Sequence, residues 1–152
     1  MIDIVISKTK EYLSMENGAP IDSPDELIFV ENILIKSLMY KVYFKNKTLK
    51  HFIERRKQDY SKRHTAEETE IVIVSMIYDL YEALKNYSSI EDNPNRENSF
   101  LIYKDFENIL KTPVTVVLEK LSSDIQKSDD NNVYDETAII ISYYFTKRSK
   151  SS

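Results

Sequence analysis

Cysteine is absent from this 152-residue sequence, so a disulfide framework, a Cys-ligated zinc and a thiol nucleophile are all excluded. That absence fits an intracellular setting. Glycine occurs once, at Gly18. Glycine-rich phosphate loops, nucleotide-binding turns and strained nucleophile elbows use backbone positions that glycine alone occupies cheaply, and none can be built here. Tight hairpins and strand-to-helix turns lean on glycine too, so its scarcity favours helices joined by polar loops. No stretch approaches the ~20 apolar residues of a membrane span. The N-terminal MIDIVISKTKEYL has neither the basic flank nor the apolar run of a signal peptide. The expected setting is the cytoplasm, without membrane contact.

What is present describes an ordinary globular chain, 41% hydrophobic and 30% charged. A chain of this length can bury a real core without metal or disulfide staples. No internal repeat or second domain is visible; residues 1–147 read as one helical domain and 148–152 as a frayed tail. The abundance of Ile, Lys, Asn and Tyr points to an AT-rich coding source, such as a virus, a plasmid or a low-GC bacterium.

The fold class predicted from these features is all-α, a bundle of about six helices. Ser23-Pro24-Asp25-Glu26 has the form of a helix start, with a capping Ser before Pro at the first helical position. Thr65-Ala66-Glu67-Glu68 spells a capping box, and Thr112-Pro113 ends one helix and starts another. The helices are placed at about 2–16, 24–45, 48–62, 66–87, 98–126 (kinked at Pro113) and 134–147. In the fourth, Ile73, Ile77, Leu80, Leu84 and Tyr87 follow the helical period. Val74, Tyr78 and Tyr81 make its flank apolar as well, so it is expected to be central and buried on most sides. The β-branched runs Ile2–Ile6, Ile71–Val74, Val114–Leu118 and Ile139–Ile141 support an alternative, an α/β or α+β fold with those runs as strands.

Charge is distributed unevenly. Residues 41–64 hold nine Lys/Arg, both histidines and two acids, while the other 128 residues hold twelve basic and twenty-three acidic side chains. A net charge of −4 therefore conceals a segment near +7 inside a body near −11. On a helix from residue 48, Leu49, Ile53 and Tyr60 would meet the core, and His51, Arg55, Gln58 and Lys62 would line another side. Lys50, His51, Arg55, Arg56, Lys57, Lys62 and Arg63 are thus the candidate contacts for phosphates or for an acidic partner. Phe44, Phe52 and Tyr60 are the aromatics that could stack on bases there.

Nothing else in the sequence names a reaction. His51 and His64 are thirteen residues apart, which is no metal-ligand spacing on one helix. The acid clusters Glu67/Glu68/Glu70, Asp105/Glu107, Asp129/Asp130 and Asp135/Glu136 sit at presumed helix starts and loops, where solvation and the helix dipole account for them. Asp129-Asp130-Asn131-Asn132 lacks the glycine and closing Glu of a calcium loop. No catalytic, cofactor-binding or metal-binding residue is assigned. The expectation is a non-enzymatic regulatory protein that binds another protein, the excess of eleven tyrosines suiting an interface. A symmetric homodimer is the commonest arrangement that uses one. The alternative is a nucleic-acid-binding protein using the 41–63 surface.

Overall fold

The computed structural model describes residues 2–121 and 137–147, with side chains placed as far as Ser142. Among these residues the elements are α1 (Asp3–Ser14), β1 (Leu27–Ile35), β2 (Leu38–Lys45), α2 (Asn46–Ser61), α3 (Ala66–Lys85), β3 (Ser89–Asp92), β4 (Ser99–Lys104), β5 (Val114–Lys120) and β6 (Ala138–Lys147). The strands form one mixed sheet in the order β1-β2-β6-β5-β4-β3. Only β2 and β6 run parallel; every other neighbouring pair is antiparallel. The all-α six-helix bundle is therefore wrong, and the architecture is of the α/β or α+β kind. The 148–152 tail lies outside the described residues.

The predicted helix at 24–45 is the β1–β2 hairpin, and the reason is specific. In β1 the buried positions are Ile28 and Val30, then Ile33 and Ile35. A bulge between Phe29 and Glu31 moves the alternation from even to odd positions. The resulting step of three, Val30 to Ile33, imitates a helical period. The turn itself makes do without glycine: Lys36 and Ser37 both take positive φ, at 51° and 70°. Two-residue hairpins with a twist that matches their strands require this geometry. Lys36 is also fastened, its Nζ lying 2.9 Å from both carboxylate oxygens of Asp92.

The predicted helix at 98–126 is β4, a loop and β5. Every residue from Val114 to Leu118 is buried, so the strand shows neither a helical nor an alternating period. The predicted helix at 134–147 is strand β6 over its described part, with Ile139 and Ile141 opposite Lys120 and Leu118. Ser23-Pro24-Asp25-Glu26 is a turn, closed by the Glu26 amide on the Ser23 carbonyl at 3.2 Å. Thr112-Pro113 leads into β5 rather than into a helix. Of the β-branched runs, Val114–Leu118 and Ile139–Ile141 are strands, whereas Ile71–Val74 is helical.

Residues opposite one another on neighbouring strands share a face. Ile28 with Phe44, Val42 with Ile139, Leu118 with Ile141 and Ile102 with Val116 therefore make one apolar layer. The helices cover it with Val5, Ile6 and Tyr12 of α1, Leu49, Phe52 and Ile53 of α2, and Ile73, Ile77, Leu80 and Leu84 of α3. These residues form one continuous cluster. Helix α3 is not buried on most sides, since Ile71 and Tyr78 on its outer side are 69% and 48% exposed. Its start does carry the complete capping box: Thr65 Oγ1 accepts from the Glu68 amide at 3.2 Å, and Glu68 Oε1 accepts from the Thr65 amide at 2.9 Å.

Both edges of the sheet are guarded against adding another strand. On β1, the Glu31 carboxylate accepts from the Asn32 amide at 3.1 Å, and the Leu34 carbonyl accepts from the Tyr87 hydroxyl at 3.0 Å. At the other edge β3 is four residues long and ends in the exposed acids Glu91 and Asp92. No helix among the described residues is long and apolar enough to cross a membrane.

Candidate functional site

Helix α2 is held by its apolar positions and by a distant turn. Leu49, Phe52 and Ile53 are fully buried in the core. The first turn of any helix leaves amides without an internal partner. Here the Asn46 amide donates to the Glu26 carbonyl at 2.8 Å and the Lys47 amide to the Pro24 carbonyl at 2.9 Å. Buried Asn46 extends the join, its Nδ2 donating to the Ser23 carbonyl at 3.0 Å and its Oδ1 accepting from the Tyr12 hydroxyl. Burial, with the nearby Glu11 charge, pushes the Tyr12 phenol up from its ordinary value. Residues 23–26 thus cap a helix other than the one predicted to start there.

The seven candidate basic residues separate into two groups. Lys50 is buried and pairs with Glu54 at 2.9 Å. Burial pushes Glu54 up, but the Lys50 hydrogen bond and the Gly18 amide at 3.2 Å outweigh it, and the carboxyl is held below its ordinary value. Gly18 has φ +84°, so the single glycine stands where an L side chain would be strained. Arg56 approaches Asp59 at 3.5 Å and lies 5.6 Å from the centre of the Phe52 ring. Its buried Nε has no hydrogen-bond partner. Lys57 donates from Nζ to the Met15 carbonyl, the C-cap of α1, at 2.9 Å. These three cations fasten α2 to itself and to its neighbours.

His51, Arg55, Lys62 and Arg63 make up the second group. All four are exposed, and among the described residues their side chains form no ion pair. At 100° per residue, Lys47, His51, Arg55, Gln58 and Lys62 fall within roughly 80° of one another, a stripe about 22 Å long. Lys47 reaches Asp25 only at 3.9 Å, with both side chains mostly in water. The aromatics are turned elsewhere: Phe44 and Phe52 are buried in the core, and half-buried Tyr60 lies 6.0 Å from the His64 ring.

A second surface, which the sequence reading did not single out, lies on the outer side of α3. A shallow groove of about 560 Å³ runs along Ile71, Val74, Ser75 and Tyr78, with Lys10 of α1 and Lys111 at its walls. Lys111 pairs with Asp79 at 2.9 Å and lies 5.0 Å from the Phe106 ring, which ties the β4–β5 loop to the helix. The turn that brings Lys111 there also presents Ile109 and Leu110, which are 96% and 88% exposed. Two adjacent large apolar side chains almost entirely in water contrast with the buried runs on either side. The sequence held one usable signal, because Ile71 and Val74 stand beside Ile73 on a helix whose buried face is already supplied.

Perturbed acids and phenols elsewhere have structural causes. Tyr81 donates to Glu31 at 2.5 Å; that hydrogen bond and burial raise the phenol to about 12, and the same bond holds Glu31 below its ordinary value. Glu68 is lowered by its bonds to the Thr65 amide and hydroxyl. A polar recess of about 300 Å³ between α1 and residues 20–26 is lined by Lys8, Glu11, Tyr12 and Asn46, and these groups bond within the protein. Among the described residues no cluster of three or more His, Asp or Glu is arranged to hold a metal. No protein-family model matches the chain, and neither a curated protein nor a solved structure matches it. What the geometry offers is two surfaces, one basic and one apolar.

Proposed function

We propose that this chain is a non-enzymatic interaction protein that binds another protein through the outer side of α3 and the loop tip at Ile109–Leu110. The observation that carries this reading is the exposure of Ile71 and Tyr78 in one groove, together with the exposure of Ile109 and Leu110 on the loop that supplies Lys111 to its wall. Removing apolar surface from water stabilises an assembly by about 25 cal/mol per Å² before its costs, and apolar anchors set in pockets dominate interface energetics. The partner fitted to this surface offers apolar side chains to the groove and a recess to the Ile109–Leu110 tip. It also carries both charge signs at its rim, to meet Lys10 and Glu70.

The test is photocrosslinking in the native host, with a benzophenone side chain replacing Tyr78. The expected result is a discrete crosslinked protein band, a second copy of the chain included, that disappears when Ile109 and Leu110 are both changed to Asp. Absence of a band, or a band indifferent to those substitutions, overturns the reading. Circular dichroism of the double variant checks that the fold persists, as it should for side chains already in water.

A further inference from the structure

We infer that the outward stripe of α2 is a second binding surface, independent of the apolar one, and that it takes the phosphate backbone of nucleic acid without reading its sequence. The structure separates the cations of this helix by role. Lys50, Arg56 and Lys57 are engaged within the protein, with Glu54, with Asp59 and Phe52, and with the Met15 carbonyl. His51, Arg55 and Lys62 of the stripe, and Arg63 just past the helix end, are exposed and form no ion pair among the described residues, and Gln58 adds another donor. A stripe whose only purpose was solubility could stand beside the abundant acids of this chain. Instead, the two acids of α2 are already matched, Glu54 by Lys50 and Asp59 by Arg56, and Asp25 reaches the stripe only at Lys47, 3.9 Å away.

The chemistry of the stripe selects the partner. A protein interface needs an apolar centre from which water is excluded. This stripe has none, because Leu49, Phe52 and Ile53 are all buried in the core. A membrane surface would call for apolar side chains that enter the headgroup region, and α2 has already used its own in the core. Phosphates require only donors and positive charge in a line. A stripe of about 22 Å matches the axial rise of roughly six nucleotides in a duplex, at 3.4 Å per step along each strand. No aromatic side chain lies along it, so base stacking contributes nothing and the contact is blind to sequence.

The measurement is fluorescence anisotropy of labelled 20-nucleotide single strands and duplexes of mixed sequence, titrated with the full chain. With Lys47, Arg55 and Lys62, the Lys and Arg side chains of the stripe of about 22 Å, as the phosphate contacts, log K falls with log salt at a slope of about −2 for single strands and −2.7 for duplex. Between 50 and 200 mM salt the affinity therefore drops roughly 20-fold and 40-fold respectively. Arg55→Glu with Lys62→Glu lowers the affinity at least tenfold. Arg55→Gln with Lys62→Gln, which keeps the polarity and helix propensity, lowers it less and flattens the slope. Lys8→Gln, at a cation paired with Glu11 on α1, leaves it unchanged. The inference is overturned by no binding at 50 mM salt, by binding that survives the charge reversal, or by capture of an acidic peptide or anionic vesicles in place of the oligonucleotides. Because Ile109→Asp with Leu110→Asp leaves this stripe intact, failure here and failure of the protein-binding surface are separately readable.

Discussion

Replacing Ser37 by glycine should stabilise the protein, an outcome that follows from the β1–β2 turn and from nothing in a helical reading. Ser37 sits at φ 70°, and Lys36 before it at 51°, in a connection only those two residues long. A left-handed conformation costs an L-residue about 1–2 kcal/mol, and glycine escapes that cost. Glycine in turn loses more backbone freedom on folding, which returns about 0.5–1 kcal/mol of the gain. The difference is a net stabilisation of about 0.5–1 kcal/mol. Ser37 is the cleaner target because it is exposed, whereas Lys36 would take with it the Asp92 ion pair. With a urea dependence of about 2 kcal/mol per molar, the unfolding midpoint should rise by roughly 0.25–0.5 M. Ser37→Val, which puts a β-branched residue into the same conformation, should lower it by a larger amount. A lowered midpoint for the glycine variant, or an unaffected one for the valine variant, would refute the hairpin geometry. In a helix spanning these residues glycine in place of serine would instead cost about 0.5 kcal/mol, so the sign alone separates the two folds.

Three other outcomes follow from named contacts. Thr65→Ala removes the acceptor for the Glu68 amide and should cost about 1 kcal/mol, lowering the melting temperature by roughly 2–4 °C in a scan; an unchanged melt would mean the cap is idle. Glu54→Gln leaves the Lys50 ammonium buried without its countercharge and should cost about 1–2 kcal/mol by urea titration, with Lys50→Met/Glu54→Gln recovering part of that loss. Glu31 and Tyr81 set opposite pH limits. Glu31 is held low, so its contribution is present above the ordinary carboxyl value and is lost as pH falls through the lowered one. Tyr81 is raised to about 12, so its contribution is present below the ordinary phenol value of 10.0 and is lost as pH climbs toward 12. Tyr81→Phe should flatten the alkaline limb of a stability–pH curve and also weaken the acid limb, because Glu31 then loses its donor; a variant with both limbs unchanged would contradict the contact.

The helices that were legible are those whose signals are local. The box at Thr65–Glu68 closes within four residues, and Ile73, Ile77, Leu80 and Leu84 repeat at the helical period over the face they bury. The 48–62 segment was readable for the same reason, and it differs from α2 by two residues at the start and one at the end. The strands were misread where their period was hidden. A bulge breaks the alternation in β1, and complete burial erases it in β5. Reading glycine scarcity as a bar to hairpins also failed, because Lys36 and Ser37 accept positive φ at a cost that the sheet's packing can offset.

Sequence alone determined the charge segregation of residues 41–64 and the rotational order of the α2 side chains, since a helix converts spacing directly into direction. It also excluded the glycine- and cysteine-dependent chemistries. Tertiary structure decided which of the cations remain available. The contacts that engage Lys57, Glu54 and the first α2 amides come from Met15, Gly18 and residues 24–26, at separations no local pattern encodes. It decided likewise that Ile71 stays in water while Ile73 is buried, because one face of α3 is enough to cover the sheet and the other is left over. Local periodicity states which side chains share a face, and only the packing of distant elements states which faces are filled.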